Sequence, residues 1–507
     1  MKVGIDLGTT YSAMAYVEDE QYRHVPDTQF KTLQYTPSIV KVRDNQSLVG
    51  RLAAIDRDHG DVFKDFKLAL GTGDVQQSAK GEPWPSEVLS GLVLRKLRLD
   101  FRNHRPGDDI ESVVLTHPAN FHEPQRRAIL QAAQLAHFSN VTLLEEPVAA
   151  ALHYMKRGSR FTVGSRILVF DWGGGTFDAA VVTLDPLAGQ MQVHAKRGLA
   201  RCGGRDVNEV IRRMIHEEYE RVKGVPLTLM REGMLRLDAL IEERVKLELT
   251  APTAAFVVPV DFTIQGYSAR LDLSRRKFEA AISPLIERTV DTCLDCLADA
   301  QLTPTDIEAV ILVGGTSQLP EVKKRLSAIF GPKVTLHEPL SAIAHGAAVR
   351  AMAGAAVITQ DVCSHNLGLL AEDRRTHSLE ALTLIQRNTL IGHTATRTLT
   401  APPGRALNVH LVEFGDDRHE WRQVGVFSVN TSTMTSHDRN VIVSMKYDGN
   451  GFVEVTVLDA QTLRPLGDVT RASLGDTRLA GLNDGDIPMW QDRLKNFPVN
   501  GVTLGLR

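Results

Sequence analysis

The sequence predicts an α/β protein, two related mixed lobes followed by a smaller all-β region. Three stretches carry that prediction. Val169–Val182, VFDWGGGTFDAAVV, runs from an apolar segment into Asp171, turns through Gly173, Gly174 and Gly175, passes Thr176 and Asp178, and returns as a second apolar segment. Two strand-like runs around a glycine turn read as a hairpin. Lys2–Tyr16, KVGIDLGTTYSAMAY, repeats the pattern with Asp6, Gly8, Thr9 and Thr10. Ala309–Pro320, AVILVGGTSQLP, ends a buried-type strand in Gly314, Gly315, Thr316 and Ser317.

Consecutive glycines cost backbone entropy, so a turn that keeps them needs positive φ or the close approach of a ligand. Successive amide groups in such a turn form a concave anion site. Carboxylates beside a phosphate cradle suggest a hydrated magnesium ion. One loop alone is equally an ordinary glycine hairpin. Two Asp-preceded copies far apart, with a third loop, point to two lobes that each give a phosphate loop to one cleft.

Along the chain, Gln21–Val49 reads as strands and Pro83-Trp84-Pro85 as a loop. Ser86–Asn103 carries Val88, Leu89, Leu92, Val93 and Leu97 at helical spacing after a Ser cap. SVVLTHP is a strand, His122–Phe138 a helix, and Glu146-Pro147 a strand-to-helix junction. Gly203 and Gly204 stand ahead of another helix. Leu227–Thr250 is one long helical stretch, and Ser274–Ala300 a further helix with a Ser start. From Asp361 onward short strands alternate with turns. Asp448-Gly449-Asn450-Gly451 between alternating segments is a strong hairpin signal.

These motifs resemble the phosphate and adenosine loops of the actin-like ATPases, and within them the heat-shock protein seventy (DnaK-type) chaperones. The likeness continues through LTHPANFHEPQRRAI (Leu115–Ile129), LLEEPVAAALHY (Leu143–Tyr154), CGGRDVN (Cys202–Asn208) and HGAAV (His345–Val349). It is specific over the first three-quarters of the chain and partial beyond. It implies a two-lobed actin-like ATPase domain at 1–354, with lobes at about 1–164 and 165–354. A linker at 355–360, a β-sandwich-like substrate domain at 361–470 and a short tail at 471–507 would follow.

The resemblance also implies residue roles. Asp6 and Asp171 would organise magnesium through water, with Glu146 as a further magnesium-shell group. Lys67 and Thr176 would place the attacking water and the γ-phosphate, so Lys67, Glu146, Asp171, Thr176 and Asp6 form the implied catalytic set. ATP or ADP would be held by Gly8, Thr9, Thr10, Tyr11, Gly173, Gly174, Gly175, Asp178, Gly203, Gly204, Glu243, Lys246, Thr250, Gly314, Gly315, Thr316 and Gln318. Arg126 falls where the family couples nucleotide to linker. On residue type alone, Lys67 and Arg126 would read as solvated charges.

Composition excludes other classes. The chain has 507 residues, 43% apolar and 23% charged, with a formal charge of −3. That balance gives no electrostatic case for nucleic acid or an anionic membrane. No apolar run reaches the ~18 residues of a membrane span. Met1-Lys2 leads directly into a strand, so no signal peptide is expected. Cys293 and Cys296 share one helix face without a second zinc-spaced pair and read as core. A cytoplasmic protein is the expectation.

Three departures from the family matter. Its adenine-stacking arginines are Leu247 and Gln318 here, which should weaken nucleotide binding, at roughly 0.5–2 kcal/mol for each cation–π contact. The linker AAVITQ has only Val357 and Ile358 as large aliphatics, so its docking should be weak. The tail is short, rich in Gly, Asp and Asn, and too short for a helical lid.

The leading expectation is therefore an ATP-dependent chaperone that couples a slow ATPase to binding of unfolded polypeptide. A J-domain co-chaperone and a nucleotide exchange factor are possible partners. The alternative is a nucleotide-dependent scaffold or exchange partner with little turnover.

Overall fold

The computed structural model describes the chain apart from residues 31–33, 44–45, 57–59, 158–161, 252–255, 373–378, 402–405, 432–433, 435–438, 467–469, 473–481, 483–484, 496 and 503–507. The described residues form two compact units. One comprises Met1–Ser165, Ala180–Lys196 and Ser341–Arg507, the other Arg166–Ala179 and Arg197–Leu340.

In the first unit, strand Lys2–Asp6 lies parallel to Ser112–His117, which lies parallel to Val141–Glu145. Tyr11–Glu18 and Gln21–His24 continue the sheet antiparallel. Parallel strands are covered on both faces and so read as continuous apolar runs; Val3, Ile5, Val113 and Leu115 are buried accordingly. Their shared direction brings Asp6, His117 and Glu145 to the same end of the sheet, where open α/β sheets hold ligands. Helix Glu146–Arg157 starts at that end. A Cβ on Gly346, in helix Ala342–Ala353, would collide with the Ala149 backbone, so glycine is what lets those two helices touch.

Trp84 corrects a sequence reading. Pro83–Pro85 is a strand paired with Val75–Gln77, and the indole is buried against Phe63. The flanking prolines suit an edge strand because neither has an amide to donate. The helix that follows, Ser86–His104, starts without a side-chain cap from Ser86.

The linker takes up regular structure. Ala355–Val357 forms one 3-10 turn with Val357 buried, and Ile358–Gln360 pairs in parallel with strand Gln190–Leu199 through Met191↔Ile358. From Asn366 the chain builds a five-stranded and a three-stranded sheet. Leu367, Leu411, Val424 and Val429 of one share a single core with Val441, Val443 and Val457 of the other. The Asp448–Gly451 turn joins strands Asn440–Tyr447 and Val453–Asp459, with Gly451 N–H donating to Asp448 O (3.0 Å). The tail is not loop throughout: Asp486–Lys495 is a helix with Ile487, Trp490 and Leu494 buried.

In the second unit, Ser165–Trp172, Ala309–Val313 and Val334–Leu336 lie parallel. The long stretch expected from Leu227 is helical over Arg231–Leu240, a π-turn at Ile241–Val245, and α again over Lys246–Thr250. Helix Arg275–Asp299 begins at Ser274, whose side chain accepts from Lys277 N–H (3.4 Å). It fully buries Cys293 and Cys296, and all four cysteines are free thiols. Among the described residues no helix is long and apolar enough to cross a membrane.

Candidate nucleotide site and domain contact

The first unit gathers Asp6, Gly8–Thr10, Lys67 and Glu146. Asp6 ends its strand and accepts from Thr116 Oγ1 (3.4 Å). Lys67 is 2% exposed, and its Nζ stands 2.6 Å from Glu146 Oε1. Burial, then the nearby Glu146 carboxylate, push the Asp6 carboxyl up to about 7, while Lys67 opposes the rise. Two buried carboxylates around one ammonium leave room for more positive charge, so the donor set suits a divalent cation. The loop is braced by Thr36–Val40, TPSIV. Ser38 Oγ donates to Gly8 O (2.7 Å), Ser38 N–H to Thr10 O (2.8 Å), and the Ser12 and Ser38 hydroxyls lie 2.9 Å apart. Tyr11 is 41% exposed and packs edge-on to Tyr35.

The second unit interlocks three glycine loops. Gly204 N–H donates to Gly173 O (3.0 Å), Arg205 N–H to Gly174 O (2.8 Å), and Thr316 Oγ1 to Gly173 O (2.8 Å). Ser317 Oγ accepts from Trp172 N–H (3.2 Å). A Cβ on Gly203 would sit 2.6 Å from the Gly174 backbone, so this crossing admits only glycine. Asp171, Thr176 and Asp178 are buried around the turn. Lys246 Nζ lies 3.6 Å from the position a Gly204 Cβ would take, which puts the Lys246 helix beside the Gly203–Gly204 loop. Glu243 belongs to the π-turn, a device found often at functional sites. Thr250 closes that helix, donating to Leu247 O (3.3 Å). Gln318 donates to Gly315 O (3.3 Å), and Leu247 is 59% exposed. Gly175 and Gly315 complete the two turns.

A second cluster lies where strands Val141–Glu145 and Gln190–Leu199, which belong to two different sheets, meet the β domain. Lys196, fully buried, reaches Glu145 Oε1 (2.7 Å) and Asp361 Oδ1 (2.8 Å). Burial works against the charged forms. The paired carboxylates nonetheless hold the Lys196 ammonium above its ordinary range, and Lys196, then His117, hold Glu145 at about 2. Asp361 is pushed up by burial and by Glu145. Arg126 donates to Glu413 Oε1 (2.9 Å) and to Gly451 O (2.6 Å). Glu413 accepts further from Tyr447 OH and Glu123 N–H. Against burial, Arg126 and His122 hold Glu413 well below the usual carboxylate range. His122, His365 and Glu413 are spaced as metal ligands are, but the Arg126 guanidinium already supplies the cation on Glu413. A polar cavity of about 50 Å³ adjoins, lined by His117, Glu145, Asp361, His365 and Glu413 among others.

Sequence reasoning found Arg126 through family likeness and missed Lys196, Glu145, Asp361 and Glu413. The available signal was slight: a single charge closing or interrupting an apolar segment, as in VHAK at 193–196 and LVEF at 411–414.

Paired Asp/Gly/Thr loops, a buried Lys–Glu pair and an attached β domain fit a nucleotide-hydrolysing α/β protein. The Hsp70 protein family matches residues 2–466. The chaperone protein DnaK from each of two strains of Thermus thermophilus is 30% identical over 91% of this chain and 79% of the relative's own length. The chaperone protein dnaK of Cyanidioschyzon merolae is 30% identical over 91% of this chain and 80% of its own. The chain belongs to the Hsp70 family. It is an ATP-dependent chaperone and an ATPase.

Proposed function

We propose that the chain binds ATP or ADP with magnesium through the loop residues of both units and hydrolyses ATP slowly in an actin-like domain at 1–354, with lobes at about 1–164 and 165–354. Binding of extended, unfolded polypeptide falls to the β domain at 361–470. The buried Lys67–Glu146 pair beside Asp6 carries this reading. Asp6, Asp171 and Glu146 would hold the magnesium, largely through water, and the ion would neutralise charge on the β- and γ-phosphates. The backbone amides of Gly8–Thr10 and Gly173–Thr176 would cradle the phosphates. Lys67, held by Glu146, stabilises charge that develops on the transferred phosphoryl and orients the water. Thr176 supports it, and Glu243, Lys246 and Thr250 contact the adenosine.

Peptide binding rests on the two-sheet domain, where backbone pairing and apolar pockets take an extended chain. The partners are then unfolded polypeptides, a J-domain co-chaperone and a nucleotide exchange factor, in a cytoplasmic setting, with neither nucleic acid nor membrane involved. The test is steady-state ATPase with and without an unfolded peptide. Stimulation supports a chaperone cycle. Nucleotide binding with neither turnover nor a peptide response would support the scaffold reading, which the Leu247 and Gln318 replacements favour.

A further inference from the structure

The last described stretch of the chain lies in the core of the first unit's sheet layer. Leu482, Ile487, Trp490, Leu494, Phe497 and Val499 belong to the same buried cluster as Val3, Phe63, Trp84 and Val88. The Trp84 ring centre is 5.7 Å from that of Trp490 and 6.0 Å from that of Phe497. The Arg493 guanidinium lies 4.9 Å from the Trp84 ring and 4.6 Å from the Trp490 ring. Backbone pairing adds to this. Ser47 N–H donates to Pro498 O (3.0 Å), Asn500 N–H to Ser47 O (2.9 Å), and Val49 N–H to Asn500 Oδ1 (2.7 Å).

Arg95 gives the independent observation. Its side chain is 1% exposed, and its Nη1 donates to Leu494 O (2.7 Å), in the last turn of the Asp486–Lys495 helix. Cations are favoured at helix C-termini. Gln131 likewise donates to Leu482 O (2.8 Å). Without the tail, a buried guanidinium on the Ser86–His104 helix loses this acceptor, and Trp84 loses the two rings that cover it. Charges left buried without partners are strongly destabilising.

We propose that the groove formed by Trp84, Arg95 and the Ser47–Val49 strand is a docking site whose occupants are this chain's own Leu482, helix Asp486–Lys495 and residues 497–502. The ATPase fold is thereby completed by residues that follow the β domain, and the β domain is an insertion into that fold, tethered at both ends. From Ala472, paired with Val426 in the β-domain sheet, to Leu482 the chain advances 10 residues, a reach of at most about 36 Å. A β domain released at the linker therefore stays near its docking surface, at an effective concentration on the order of millimolar. This does what a lid does not: it retains the domain without covering it.

Amide hydrogen exchange on the unaltered full chain tests the proposal. The Asp486–Lys495 amides should exchange within about tenfold of the Ser86–His104 amides, because both open with the same core. A second measurement uses a protease site placed in 355–360. After cleavage under conditions that undock the β domain, the two fragments should still co-elute in gel filtration, and Trp490→Ala with Leu494→Ala should separate them. Tail amides that exchange as freely as an unstructured peptide would overturn the proposal, as would nicked wild-type protein that falls apart. If the double variant does not fold, the exchange result on the unaltered protein decides alone.

Discussion

Around Gly173–Thr176 the protein works with backbone: amides, carbonyls and glycines whose missing side chains let loops cross. Around Lys196 and Glu413 it works with buried side-chain charge. The loops are contiguous motifs. The domain contact joins Lys196 to Glu145 and Asp361, 51 and 165 positions away, and Arg126 to Glu413, 287 positions away. The difference teaches that a contact carried by no local motif can still bring the β domain and the linker together: the linker has only two large aliphatics, Ile358 pairs with Met191, and Lys196 holds Asp361 beside it.

The largest effect expected is at Lys196. Lys196→Met leaves Glu145 and Asp361 buried together, and breaking a buried pair typically costs about 3–5 kcal/mol. Limited proteolysis at 355–360 should accelerate about a hundredfold or more. An unchanged cleavage rate would place docking in the aliphatic residues after all.

Next comes the chemistry. Lys67→Ala should bind ATP and lose roughly 10²–10³-fold in single-turnover hydrolysis, the usual cost of one preorganised electrostatic group. Wild-type turnover in the variant would remove Lys67 from the mechanism.

The third concerns pH. Burial, then His122, push His365 well below the ordinary 6.5, with Arg126 and Arg387 adding to the shift and Glu413 opposing it. The docked form thus resists a proton that the undocked form accepts below about 6.5. Docking should weaken as pH falls from 7 to 5, by up to about tenfold per pH unit for one proton. Linker proteolysis across that range reads it, and His365→Asn should flatten the profile. A docking strength that rises on acidification would contradict the assignment.

The smallest effect is in the base pocket. Leu247→Arg with Gln318→Arg should tighten ADP by roughly 0.5–2 kcal/mol per restored cation, read by calorimetric Kd. No change would mean the base is held by other groups.

The α/β class and the three glycine loops were legible because each loop ends a short apolar run in Asp, Gly or Thr, whereas Lys67 and Glu146 entered only through the family likeness. The π-turn at Ile241–Val245 was not, since one extra residue per turn leaves apolar spacing nearly unchanged over a short stretch. Trp84 read as loop because its flanking prolines mask an edge strand. The tail helix, DIPMWQDRLK, carries only Ile487, Trp490 and Leu494 on its buried face, too little to stand out among polar neighbours. Lys196 and Glu413 could not be distinguished from solvated charges, because burial of a charge is decided by partners far away in sequence.

We infer that buried charge couples the β domain to the ATPase. Peptide Kd by fluorescence anisotropy, in ATP and in ADP, tests it on wild type and Lys196→Met side by side. Wild type should show a nucleotide-dependent shift within the usual 5–150-fold of allosteric coupling, and Lys196→Met should reduce it to less than about threefold while keeping ADP-state peptide affinity. A shift that survives Lys196→Met undiminished would contradict the claim.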